Sequence, residues 1–317
     1  MQALTLSAGL EVRDVAEPEP EPGCALIRVR LAGICNTDLE LALGYMEFDG
    51  TLGHEFVGVV EHCDDESWIG RRVVGEINLG CTRCEACRNG LARHCPERRV
   101  LGILNKDGCL AERVSLPVAN LERVPDALSD EAAVFTEPLA AAFEILEQID
   151  VNESDRVLVL GDGKLGLLCV AALATTGCEL QLHGRHAGKL AHGERFGART
   201  SCAPDLPHGR FDVVVEASGR PGGLEQAIAL TRPRGTVILK STFHGATPVV
   251  LAPVVIDEIT VIGSRCGRFP AALQALAGRA FDPTPLISER FSLGDAVAAM
   301  ERSRDSATLK VLVECSD

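Results

Sequence analysis

The sequence predicts an α/β protein, a doubly wound parallel sheet joined to a separate β-rich domain, and three observations lead there. The first 30 residues alternate apolar and polar positions, and up to about Ser129 helical periodicity is scarce outside a short segment near Leu39. Glycines recur there at turn-like intervals, through Gly44, Gly50, Gly53, Gly58, Gly70, Gly75 and Gly80. From Asp130 an Ala-rich helical pattern takes over and leads into alternating apolar runs and helical segments. At the first junction of that alternation a strand-like run ends directly on Gly161-Asp162-Gly163-Lys164-Leu165-Gly166.

Taken in order, the first 30 residues read as a strand, a rigid polar connection over Glu17-Pro18-Glu19-Pro20-Glu21-Pro22-Gly23, and a second strand at 25–31. The glycine-punctuated stretch that follows suits an antiparallel barrel or sandwich. Beyond the helix that starts near Asp130, buried strands are expected at Arg156–Leu160, 180–183, Phe211–Glu216, 236–240 and 259–262. Each is separated from the next by a segment able to form a crossover helix, as a parallel sheet requires. Amphipathic helices near 271–276 and 293–303 and a last strand at 308–313 complete the chain.

A length of 317 residues with 46% hydrophobic content supports two domains with proper cores. Thirteen cysteines suggest a disulfide framework only until the N-terminus is read, since Met-Gln-Ala-Leu-Thr-Leu lacks a basic stretch and an apolar leader. An odd count with clustered thiols fits a reducing, cytoplasmic setting, in which Cys63, Cys109, Cys169, Cys178, Cys202 and Cys266 act as small buried or half-buried hydrophobes. No apolar run approaches the ~20 residues of a membrane helix. No membrane is therefore an expected partner, and a net charge of −14 repels phosphate backbones, so neither is nucleic acid.

Cys81, Cys84, Cys87 and Cys95 leave two, two and seven residues between them. Such spacing lets one loop fold four thiolates around a tetrahedral Zn²⁺ with no position left for water, which makes the site structural. The motif from Gly161 to Gly166 stands at a strand-to-helix turn. There the first glycine permits the turn, the second admits a pyrophosphate, and the third packs helix on sheet, with Lys164 and Leu165 opening the helix. An NAD site would carry Asp or Glu roughly 20 residues further on. This chain has His183-Gly184-Arg185-His186 with Lys189 nearby, a cationic cluster suited to the 2′-phosphate of NADP(H), which is favoured over NAD(H).

Upstream stand Gly33-Ile34-Cys35-Asn36-Thr37-Asp38 and Gly53-His54-Glu55-Phe56-Val57-Gly58. With the cysteine lobe and the glycine turn in that order, the chain resembles the zinc-dependent medium-chain alcohol dehydrogenase family over nearly its whole length. The segment Phe135-Thr136-Glu137-Pro138-Leu139-Ala140 is similar to the polyol, glucose and threonine branches. The resemblance implies a GroES-like catalytic domain at 1–137 with the structural zinc lobe at about 80–96. It further implies a Rossmann domain at 138–267 and a return of 268–317 to the catalytic domain.

It also implies a second, catalytic zinc on Cys35 and His54, with Glu55 binding or supporting the metal and Glu137 binding it or holding its water. Thr37 would relay the substrate proton and Asp38 would orient His54. The family often has a histidine where this chain has Glu40, so Glu40 or water takes the proton outward. Arg265, in a turn that resembles the stretch leading back to the catalytic domain, would reach cofactor or substrate, and Lys310 matches a basic family position near the cofactor pyrophosphate. The implied enzyme transfers a hydride between a nicotinamide cofactor and a small alcohol, polyol or carbonyl substrate. Alternatives are a zinc-free quinone or enone reductase, or a nucleotide or redox sensor without turnover. One Trp, one Tyr and ten Phe, with the glutamate at 137, favour a polyol, sugar or amino-alcohol over an aromatic substrate. Family members pair through the strand near 259–262, so a homodimer or homotetramer is expected.

Overall fold

Ten residues, Cys24–Gly33, form the strand around which the first of two units is built, with every second side chain buried along most of its length. The computed structural model describes residues 1–203, 206, 208–242 and 248–316. Unit one comprises Met1–Glu137 and Phe269–Asp317, and unit two comprises Pro138–Arg268.

In unit one the central strand pairs antiparallel with Glu55–Cys63, with Arg113–Pro117 and with Lys310–Glu314 at the end of the chain. The sheet continues through Arg72–Gly75 to Leu121–Arg123 on one side and through Ile287–Ser292 on the other. A smaller sheet joins Leu10–Asp14, Gln2–Leu6 and Gly50–Thr51. Asn78–Leu79 and Arg99–Val100 pair antiparallel at the two ends of the cysteine loop and so hold its base together. Ile287–Ser292 escapes the sequence reading because most of it is exposed or half-exposed and shows no clear apolar alternation.

Unit two is a six-stranded, all-parallel sheet in the order Arg199–Ser201, Glu179–His183, Arg156–Leu160, Phe211–Glu216, Thr231–Leu239, Thr260–Gly263. Numbered within the unit, that order is 3-2-1-4-5-6, the Rossmann arrangement, and it reverses between Arg156–Leu160 and Phe211–Glu216. The helix Lys164–Ala174 buries eight residues in a row, from Gly166 to Leu173, which explains why its apolar character runs all the way round. Leu158, Leu160, Phe211, Val214, Ala227, Ile228, Leu230, Val237 and Ile259 form one core cluster of the unit.

All thirteen cysteines are free. Cys63, Cys109 and Cys169 are buried and Cys178 and Cys266 half-buried, but Cys202 is exposed, contrary to the expectation for it. It follows the short edge strand Arg199–Ser201, whose own residues are only half-buried or exposed, so no core reaches it. Among the described residues no helix is long and apolar enough to cross a membrane.

Candidate active site

Two strand ends lying side by side bring the first candidate ligands together. Gly33 stands opposite Glu55 in the antiparallel register, and the chain leaves the central strand through Ile34, whose N–H donates to Val311 O at 3.0 Å. Cys35 then caps the short helix Asn36–Leu41, while His54 directly precedes the neighbouring strand and Glu55 opens it. Ligand atoms of Cys35, His54 and Glu55 all lie within 4.8 Å of one another.

Asp38, fully buried, ties both arms of this cluster. Its Oδ2 accepts from the Cys35 amide at 2.8 Å and its Oδ1 from the Gly53 amide at 3.3 Å. The same Oδ1 lies 3.3 Å from His54 Nδ1, at ion-pair distance but without the direction of a good hydrogen bond. Burial opposes a charged His54, yet Asp38, helped by Cys35, prevails and raises its pKa well above the usual imidazole range. A proton and a metal ion therefore compete for this ring, and acidification works against metal.

Glu55 is enclosed, and one of its oxygens binds the ammonium of Lys310, itself fully buried and 5.6 Å from the Phe135 ring centroid. Gly33 makes room for this pair, because a Cβ there would strike Glu55 Oε2. The other oxygen, Oε1, is buried without a hydrogen-bond partner. A carboxylate with one unshared oxygen, converging with a thiol and an imidazole, is a donor set that fits Zn²⁺.

Thr37 Oγ1 accepts a weak hydrogen bond from Cys35 Sγ at 3.7 Å. Glu40 is half-buried three residues further along the same helix, on the same side. Glu137, half-buried in the first turn of the helix Thr136–Gln148, is not in the set whose ligand atoms converge.

Lys310, expected near the cofactor pyrophosphate, has no exposed surface in unit one, and its ammonium pairs with Glu55. Sequence reasoning missed this pairing because nothing local connects residues 255 positions apart.

The sulfurs of Cys81, Cys84, Cys87 and Cys95 also lie within 4.8 Å of one another. Backbone amides of Cys81, Cys84 and Cys87 donate to sulfurs of Cys95, Cys81 and Cys84, each at 3.4 Å. Amides of Arg83 and Cys84 lower the Cys81 pKa to about 6, whereas desolvation and the neighbouring sulfurs push Cys87 up to about 12. Four thiols this close suit a cation, which allows all of them to ionise.

In unit two the glycine turn follows Arg156–Leu160, at the point where the strand order reverses. Gly161 takes φ +117°, and a Cβ there would lie 2.5 Å from Ala217 O. Gly166 packs against the Gly161 carbonyl, while no heavy atom lies within 4 Å of where a Gly163 Cβ would be. The loop is thus tight at its two ends and open at its middle, above the N-terminus of the helix Lys164–Ala174. That shape fits a dinucleotide pyrophosphate, with Lys164 and Leu165 half-buried in the first turn.

Arg185 is exposed after the second strand, His186 caps the helix Ala187–Arg195, and Lys189 is half-buried in its first turn. Asp162, which sequence reasoning did not single out, reaches this turn: its Oδ2 accepts from the amides of Arg185 at 2.8 Å and His186 at 2.7 Å. An acid inside a glycine fingerprint was the available signal. Arg265 is exposed, and its carbonyl, with Ala141 O and Ser264 Oγ, receives the buried ammonium of Lys240.

Residues 21–126 match the alcohol dehydrogenase GroES-like domain and residues 165–279 match the zinc-binding dehydrogenase family. The chain is 32% identical to an L-threonine 3-dehydrogenase of Streptomyces avermitilis, over 96% of each chain. It superposes with a TM-score of 0.89 on a putative zinc-binding dehydrogenase of Sinorhizobium meliloti 1021 bound to NADP, at 30% identity over 99% of this chain and 98% of that one. A short chain alcohol dehydrogenase of Escherichia coli CFT073 complexed with NADH gives a TM-score of 0.92 at 25% identity, over 99% of each chain.

Proposed function

The chain belongs to the zinc-type medium-chain alcohol dehydrogenase family, and we propose that within it Cys35, His54 and Glu55 hold the zinc of the active centre. The observation that carries this reading is the convergence of a Glu55 oxygen with the Cys35 thiol and the His54 imidazole within 4.8 Å, together with a Glu55 Oε1 that is buried without a hydrogen-bond partner. Glu55, not Glu137, then completes the protein's share of the coordination, and Glu137 supports it. Cys81, Cys84, Cys87 and Cys95 hold a second, structural zinc.

When bound, zinc supplies Lewis acidity toward the substrate oxygen and the nicotinamide cofactor exchanges the hydride. Thr37 takes the proton of the substrate hydroxyl, and Glu40 on the same helix carries it outward. Asp38 keeps His54 and Cys35 from moving apart. The substrate class we favour is a polyol, sugar or amino-alcohol, which the likeness to a threonine dehydrogenase supports. Two zinc ions per chain and reduction of NADP⁺ by members of an alcohol and polyol panel test the reading. A fully active protein with one zinc would sink it.

NADP(H) is favoured because Arg185, His186 and Lys189 cluster where an NAD site would carry an acid, and Arg265 is assigned to the cofactor as well. Arg185→Ala is expected to weaken NADP⁺ binding about tenfold or more, the worth of a charge-assisted hydrogen bond, and NAD⁺ binding little. Titration calorimetry with both cofactors checks this, and an equal effect on the two would remove the argument.

Unit two offers a surface for a second copy. Thr260–Gly263 is an edge strand with Val261 40% exposed, and Val255 and Ile256 nearby in sequence are each 76% exposed. Ile259 faces the core instead and takes no part. Edge-to-edge pairing would cover these groups in a homodimer. Sedimentation should give twice the 33.7 kDa chain mass, or a multiple of that, and a monomer would refute the pairing.

A further inference from the structure

We propose that Asp162 is a positioning residue for cofactor selectivity, tying down the turn at 184–186 so that Arg185 is presented to the ribose 2′ position. The inference rests on the NADP(H) reading above. A carboxylate inside the pyrophosphate loop would by simple electrostatics repel the cofactor. The structure turns it away: Asp162 is only 8% exposed, and its side chain is directed to the turn that follows Glu179–His183.

Four contacts occupy it there. Oδ2 accepts from the amides of Arg185 and His186, at 2.8 and 2.7 Å, and lies 3.0 Å from His186 Nδ1, while Oδ1 lies 3.2 Å from the same nitrogen. Both oxygens are thus engaged by this turn, Oδ2 by two amides and the ring nitrogen and Oδ1 by the same ring nitrogen. Burial would raise its pKa, but these donors outweigh burial and hold the carboxyl below its usual range, ionised at neutral pH.

The partner turn is built to receive it. A Cβ on Gly184 would overlap the Asp162 side chain, so a glycine stands where the acid passes. One backbone bond joins the same two elements, from Gly161 N to His183 O at 2.9 Å, and another ties the turn to the edge strand, from Gly184 N to Ser201 O at 3.0 Å. Arg185 therefore has its amide fixed and its side chain exposed. A fixed backbone lowers the ordering cost when a long side chain engages a phosphate.

The test uses the full-length protein and calorimetric affinities for 2′,5′-ADP and 5′-AMP, whose ratio reads the 2′-phosphate without turnover. In the parent protein 2′,5′-ADP should bind more tightly, and in Asp162→Ala the ratio should fall about tenfold, as it does in Arg185→Ala. The double variant should fall no further than the lower single one. Asp162→Asn, which keeps an oxygen toward the two amides, should recover most of the ratio, and Asp162→Ser, whose shorter side chain cannot span to both amides, takes the place of Asp162→Ala if that variant does not fold.

A bystander acid predicts the opposite sign, since removing its charge would raise the ratio. A ratio that rises or stays unchanged in Asp162→Ala, or in Asp162→Ser in its place, while Arg185→Ala lowers it would overturn the clamp alone. Equal affinities of the parent protein for the two nucleotides would overturn the NADP(H) reading and the clamp with it.

Discussion

Cys35→Ala and His54→Ala are each expected to lower turnover by at least ~1,000-fold, the scale of the several kcal/mol that a Lewis acid contributes at a reacting oxygen. Zinc content should drop from two ions per chain to one, because only one of the two clusters loses a donor. Cofactor affinity and the folded state should persist. Cys35 is only half-buried, at the N-cap of a six-residue helix, and the glycine turn belongs to the other unit. Metal analysis, calorimetry with dinucleotide and a turnover assay on the same preparations check this. Retained activity with one zinc would remove the catalytic role of the cluster.

Lys310→Met is expected to destabilise the fold by roughly 3–5 kcal/mol, the range seen when one partner of a buried ion pair is removed. Both groups are essentially without exposed surface, so the remaining Glu55 charge has no water to turn to. Adding Glu55→Gln should recover a large part of that loss, since the lone buried charge disappears with it. Denaturant unfolding of the single and double variants, treated with chelator to keep metal out of the comparison, measures both. A cost below about 1 kcal/mol for Lys310→Met would show that the pair does not carry this weight.

Much of the architecture was legible because it is encoded locally. The four cysteines are set by short spacing within one loop, and the glycine turn by its place between an apolar strand and an apolar helix. Ile287–Ser292 was not legible, since a largely exposed strand shows no apolar alternation. Cys202 was misread for a related reason: residue type says how often a cysteine is buried, and the neighbouring elements decide whether this one is.

Cys35, His54 and Glu55 could be named in the sequence through their resemblance to a family pattern, and the zinc-type dehydrogenase fold follows from the same motifs. Tertiary structure alone decided that Glu55 converges with them where Glu137 does not, that Lys310 neutralises Glu55, and that Asp162 holds the turn at Arg185. The reason is physical. Periodicity and spacing report which residues share a strand, a helix face or a loop, whereas a buried charge selects its partner by distance in space once strands pair. Here that pairing brings together residues 55 and 310, and no local pattern in the chain records it.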